Sequence, residues 1–183
     1  TAGLAINASL TGHLVLSTLH TNSAAGAIPR LIDMKAEPFL ISSTLTAVVA
    51  QRLVRSLSPE SRTKYKLSKK ETETLAGDID LEKILKILKK EKIIDAKADW
   101  ETIDFYQPKE SESCPTGYKG RIGIYDVLDI TPKIKELIVA SATSDDIQKV
   151  AEAEGMITML EDGFIKAVQG ITSLEEVLRA SRE

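Results

Sequence analysis

The sequence predicts a mixed α/β fold, and three observations lead there. Within residues 10–24 an apolar strand carrying Leu14, Val15, Leu16 and Leu19 ends among Ser17, Thr18, His20, Thr21 and Asn22. That sets hydrogen-bonding groups where α/β sheets bind ligands. Helical patterns with one apolar face recur on both sides of the middle of the chain, and two β-rich stretches, residues 102–106 and 121–128, lie between them. With 183 residues and 43% hydrophobic content the chain can bury a substantial core, as one domain or as one plus a small appendage.

Taken in order, Ala2, Leu4, Ala5, Ile6, Ala8 and Leu10 read as a helix already under way, and position 1 is Thr rather than Met. The expectation is a piece of a larger protein, or a chain that follows a removed propeptide. After the strand, Ser23 caps a helix carrying Ala24, Ala27, Ile28, Leu31 and Ile32, with Pro29 in its first turns and its end near Lys35. Pro38 opens a second helix whose apolar face, Leu40, Ile41, Leu45, Val48, Val49, Leu53 and Val54, extends to Leu57. Gln51, Arg52 and Arg55 cluster near its end.

From Ser58 to Asp99 the composition shifts to Lys, Glu and Ser, a surface excursion from the core. Inside it Leu81, Ile84, Leu85 and Leu88 recur at helical spacing, with Lys83, Lys86, Lys89 and Lys90 facing outward. The lysine face reads as a solvated surface, or as one that meets a membrane or partner. The stretches 102–106 and 121–128, separated by a loop with Pro108, Pro115, Gly117 and Gly120, read as an antiparallel pair. Thr131-Pro132 starts a helix with Ile134, Leu137 and Ile138. Ser144 caps the next, which has Asp145 and Asp146 in its first turn and Gly155 after its end. Residues 158–169 supply Leu160, Phe164, Ile165 and Val168 on one face, and a capping box at Thr172-Ser-Leu-Glu175 opens the last helix. The C-terminal third reads as a helical bundle.

A net charge of −3 with 28% charged residues gives no basic surface for nucleic acid. No apolar run approaches the roughly 20 residues that span a bilayer, and no basic-then-apolar leader opens the chain. A single cysteine, Cys114, excludes an intrachain disulfide framework and fits a cytoplasmic setting.

His13 and His20 invite a metal reading, but seven steps along a strand is roughly 23 Å and an odd separation puts the rings on opposite faces. Each histidine is either a functional group or a hydrogen-bonded structural one. Cys114 has no nearby base to make it a nucleophile, and Ser17, Ser23 and Ser42 lack the G-x-S-x-G setting of a hydrolase elbow. The loop Gly117-Tyr-Lys-Gly-Arg121 is a phosphate cradle or a simple turn. No G-x-x-x-x-G-K-[ST] occurs, so the chain alone is not expected to hydrolyse ATP.

Four blocks carry a resemblance: TAGLAINASLTGHLVLSTLHTNSAAGAIPRLIDM, EPFLISSTLTAVVAQRLVRSL, GYKGRIGIYDVLDI and GMITMLEDGFIKAVQGITSLEEVLRA. In this order they resemble the C-terminal part of the secretion ATPases of type II secretion and type IV pilus assembly. The resemblance implies the late strands and helices of a RecA-like P-loop domain in residues 1–57. It further implies a zinc-type module in 58–118, and a strand and helical bundle in 119–183. It implies a hexameric, cytoplasmic motor that uses Mg-ATP and acts on an inner-membrane platform protein. His20 would sit near the γ-phosphate as catalytic sensor with Thr18 and Thr21 beside it, and Arg52 and Arg121 are candidates for nucleotide or subunit contacts. His13 belongs to the same box at the far end of the strand.

Many assembly ATPases of this family hold zinc with two C-x-x-C pairs. The corresponding places here read Ser58-Pro-Glu-Ser61 and Ser111-Glu-Ser-Cys114, so zinc is not expected. The serines are natural or engineered. The surviving spacing favours an assembly motor; a retraction motor, or a non-catalytic docking or oligomerisation module, is the alternative.

Overall fold

The computed structural model describes residues 2–112 and 114–182; Thr1, read above as an internal start, and Ser113, between two of the zinc-type positions, lie outside them. In chain order the elements are α1 (Ala2–Leu10), α2 (Ala27–Asp33), α3 (Pro38–Thr44), β1 (Ala47–Leu57), β2 (Arg62–Tyr65), α4 (Lys69–Asp78) and α5 (Leu81–Lys90). They continue with β3 (Phe105–Pro108), β4 (Tyr118–Asp129), α6 (Pro132–Val139), α7 (Ser144–Ala153), α8 (Met159–Val168) and α9 (Leu174–Arg182). The chain forms two compact units, residues 1–51 with 125–158, and residues 52–124 with 159–183. The divisions fall inside β1 and β4, which pair as a two-stranded sheet.

In the first unit α3 packs on α6, α6 on α7 and α1 on α3. Ile28, Ile41, Leu128, Ile134, Ile138 and Ile147 are buried there, each at most 1% exposed. α6 begins as its sequence dictates: the Thr131 hydroxyl accepts the Ile134 N–H and Pro132 takes the first helical position. α7 starts at Ser144 itself, with Thr143 one residue earlier as its cap.

In the second unit Leu81, Ile84 and Leu88 of α5 meet Phe105, Phe164, Leu174 and Val177, as the helical spacing of α5 anticipates. Trp100 stacks on Phe105 at 6.4 Å between ring centres and meets Phe164 edge-on at 6.0 Å. Lys83 does not face outward; it pairs with Glu161 of α8 at 2.7 Å. A smaller cluster joins Val54, Ile124 and Ala180.

Four further sequence expectations are corrected. Residues 13–21 form no strand: none of the described strands pairs with them, and Leu14 and Leu16 are 89% and 87% exposed. An extended segment without a ladder partner has nothing to bury its apolar face against. The helix expected from Pro38 to Leu57 stops at Thr44, where Ser42, Ser43 and Thr44 turn their hydroxyls onto the carbonyls of Phe39 and Leu40. The β-branched run that follows becomes β1, with Val48, Ala50 and Val54 on its more buried side. The two β-rich stretches do not pair with each other: β3 pairs antiparallel with β2, Tyr65 opposite Phe105, while β4 pairs with β1. α4, unseen in the sequence, opens on a capping box between Ser68 and Glu71. At the last helix it is Ser173 whose hydroxyl accepts the Glu176 N–H, so the cap lies one residue later than the box expected from Thr172 to Glu175, and the Glu176 carboxylate bonds Arg55 and Arg179. Thr172 instead donates to the Arg55 carbonyl.

Candidate functional site

The histidine-bearing segment starts where α1 unwinds. The Thr11 hydroxyl donates to the Ala8 carbonyl at 2.8 Å, and Gly12 turns the chain at a φ of 89°, a left-handed conformation suited to glycine. His13 is exposed, its Nδ1 lying 3.0 Å from the Thr11 hydroxyl, a local contact within the turn. Residues 13–20 then run without helix or strand, with Thr18 and His20 exposed.

Order returns immediately after His20. The Thr21 hydroxyl donates to the Ser23 carbonyl at 3.1 Å, and the Gly26 N–H donates to the Ser23 hydroxyl at 3.1 Å. Ser23 therefore organises the turn before α2, although the helix itself begins only at Ala27. Ala24 and Ala25 are buried, and the Ala24 N–H donates to Asp126 Oδ2 at 3.1 Å. Thr18, His20 and Thr21 thus sit where an exposed ribbon meets an anchored turn. The His20 imidazole and the Thr18 hydroxyl are open to solvent there, whereas the one proton of the Thr21 hydroxyl is taken by the Ser23 carbonyl. Among the described residues no group of three or more His, Cys, Asp or Glu could hold a metal ion.

Arg52 and Arg121 belong to the other unit. Arg52 donates to the Ala180 carbonyl near the end of α9, while Arg121 is exposed on β4. A more organised charged group in the same unit is one that sequence reasoning missed. Glu176 has no exposed side-chain surface and accepts the Arg55 backbone N–H at 2.9 Å, the Arg55 guanidinium at 2.7 Å and the Arg179 guanidinium at 3.2 Å. Burial pushes its carboxyl up, but the bonds from Arg55 and Arg179 outweigh burial and hold it down at about 2. The Arg55 guanidinium also lies 4.1 Å above the centre of the Tyr118 ring. The signal for Glu176 was an acid adjoining Val177 on the inward side of the last helix; for Asp126 it was an acid alternating with Ile124 and Leu128.

The zinc-type positions do come together. The hydroxyls of Ser61 and Ser111 hydrogen-bond at 2.7 Å, Ser111 and Cys114 exchange backbone bonds of 3.1 Å, and the Ser58 N–H donates to the Gly117 carbonyl at 3.0 Å. Cys114 Sγ donates to the Tyr118 carbonyl at 3.4 Å. A hydrogen-bonded knot, with Ser58 and Ser61 buried, joins the two turns. Gly117 stands at a φ of 68° against Lys109 and Pro108, so its place in the Gly117–Arg121 loop is that of a tight turn.

Residues 1–179 match the family described as Type II/IV secretion system protein. The chain is 40% identical over 183 residues to the type II secretion system protein E of Xanthomonas campestris and 42% identical over 184 to the type II secretion system ATPase E of Vibrio cholerae. It is 40% identical over 184 residues to the type IV pilus assembly ATPase PilB of Thermus thermophilus. All of this chain is covered in each case, but only 29%, 32% and 19% of those relatives. The fold resembles a crystal structure of the pilus retraction motor PilT with bound ADP, with a TM-score of 0.57 and 21% identity over 99% of this chain and 36% of that one. On the extent and identity of these matches, the chain belongs to the type II/IV secretion system protein family.

Proposed function

We propose that this chain is the C-terminal part of a hexameric motor ATPase that powers type IV pilus assembly or type II secretion. In this reading His20 senses the γ-phosphate of Mg-ATP, with Thr18 and Thr21 assisting, while Arg52 and Arg121 make nucleotide or subunit contacts. The motor works in the cytoplasm, at the inner membrane, against a platform protein, and the isolated chain does not turn over ATP. The observation that carries the reading is identity near 40% to secretion and pilus assembly ATPases along the whole chain. The exposure of His20 next to a turn whose backbone is pinned supports it, because a sensor must reach its ligand from a fixed base.

The test is His20→Ala in the ATPase that carries this segment. Turnover is expected to fall at least about tenfold with a smaller change in KM, the pattern of a contact made mainly in the transition state. Unchanged turnover would remove His20 from the mechanism.

A further inference from the structure

We infer that Asp126 is the positioning residue for the His20–Thr21 loop. The inference rests on the reading of His20 as a phosphate sensor, whereas the contact that motivates it is independent of that reading. β4 turns Ile124, Asp126 and Leu128 inward, and Asp126 is 4% exposed. A carboxylate in a row otherwise filled by Ile and Leu weakens a strand unless hydrogen bonds hold its charge. Asp126 reaches 102 residues back along the sequence, where its Oδ2 accepts the Ala24 N–H at 3.1 Å. Ala24 has no exposed surface, so this N–H depends on a protein acceptor.

The bond falls at an informative place. Residues 13–21 carry no helix or strand, and α2 begins at Ala27. Between them the Ala24 N–H is tied to a distant strand, while the Thr21 and Ser23 hydroxyls bond within the turn itself. The turn is therefore a rigid unit whose position is set by Asp126, and His20 is the last residue before it. Loss of the carboxylate leaves the turn its internal bonds and the bonds from the Ala27 and Ile28 N–H groups of α2 to the Ala24 and Ala25 carbonyls, but removes its tie to β4. An asparagine keeps an acceptor oxygen of the same reach, so Asp126→Asn should restore what Asp126→Ala loses.

The experiment has a nucleotide-free arm and a kinetic arm. In the 183-residue chain, backbone NMR follows the Ala24 amide, with the methyls of Ile134, Ile138 and Ile147 reporting that the first unit is folded. Asp126→Ala should speed Ala24 exchange about a hundredfold and shift residues 20–26 with those methyls in place, while Asp126→Asn stays within about tenfold of the parent. In the ATPase that carries the segment, Asp126→Ala should lower kcat about tenfold with the KM for Mg-ATP within about twofold, and Asp126→Asn should recover most of it. Unchanged Ala24 exchange in Asp126→Ala, or an Asp126→Asn variant no better than the alanine, overturns the anchor. If Asp126→Ala fails to fold, Asp126→Asn decides: near-parental exchange and turnover support the anchor, loss of both overturns it. A fall in kcat for His20→Ala but not for Asp126→Ala overturns the positioning role. Unchanged kcat in both variants, with the exchange result intact, overturns the sensor reading and with it any catalytic meaning of the anchor.

Discussion

Glu176 carries its charge at a place where water does not reach its side chain. Two guanidiniums and one backbone N–H replace the lost hydration, and their hold is strong enough to keep the carboxyl ionised down to about pH 2 against an ordinary value of 4.5. Because the folded value lies below the unfolded one, the group stabilises the fold fully above about pH 4.5, and this contribution disappears as the pH falls toward 2. Arg55 and Arg179 are half exposed, so screening trims the gain to roughly 1–2 kcal/mol. Glu176→Gln should therefore lose about that much stability in urea unfolding at pH 7. It should also show a flatter pH dependence between 4.5 and 2 than the parent; equal slopes would mean that the ion pairs contribute nothing. The partly buried hydroxyl pair of Ser61 and Ser111 makes a second case at the same scale. Ser61→Ala and Ser111→Ala should each cost about 1 kcal/mol, and the double variant clearly less than the sum, since either change alone breaks the shared bond. Purified chain should contain no stoichiometric zinc by elemental analysis, because three of the four positions carry hydroxyls in place of thiolates, and those of Ser61 and Ser111 are bonded to each other.

At the level of elements, α8 and α9 meet through a glycine. A side chain at Gly163 would run into Val177 Cγ1, and Val177 has no exposed surface. Gly163→Ala gains helix propensity of about 1 kcal/mol yet forces the two helices apart, so a net loss of about 1–2 kcal/mol is expected. Val177→Ala opens the space, and the double variant should be less destabilised than the two single losses added, as measured by denaturant unfolding. How much of the elements was legible follows from the same physics. α5, α6 and α8 were readable because a 3.6-residue period and local caps are properties of the sequence alone. β1 was not, because an apolar run rich in Val satisfies a helical and an alternating pattern at once, and three consecutive hydroxyls at Ser42–Thr44 made the decision. The partners of β2 and β3 were hidden because strand pairing is a fact of tertiary contact. Of the candidate site, Thr18, His20 and Thr21 were noticed as the polar end of an expected strand that the segment does not form, and a sensor role for them comes from the family resemblance alone. Asp126 could not be tied to them, since nothing local links residues 102 positions apart.

Over the whole molecule, each compact unit is assembled from two stretches of chain, so the candidate sensor and the residues that fix it come from opposite ends of the first unit's sequence. That arrangement bears directly on what the chain can bind by itself. Thr18 and His20 are exposed, and bonds from them to phosphate oxygens would compete with water, each worth about 0.5–1.5 kcal/mol at most. Two or three such contacts, set against the several kcal/mol lost when a ligand is immobilised, leave a dissociation constant no tighter than about 1 mM. No G-x-x-x-x-G-K-[ST] loop, which would supply many backbone N–H donors at once, occurs among these 183 residues. Titration calorimetry of the chain with a non-hydrolysable ATP analogue and Mg²⁺ should accordingly give no saturable heat up to about 1 mM ligand. A dissociation constant near 10 μM, about 7 kcal/mol, would require a preformed enclosure within these residues and would overturn the view that His20 acts only alongside a phosphate-binding loop supplied from outside them.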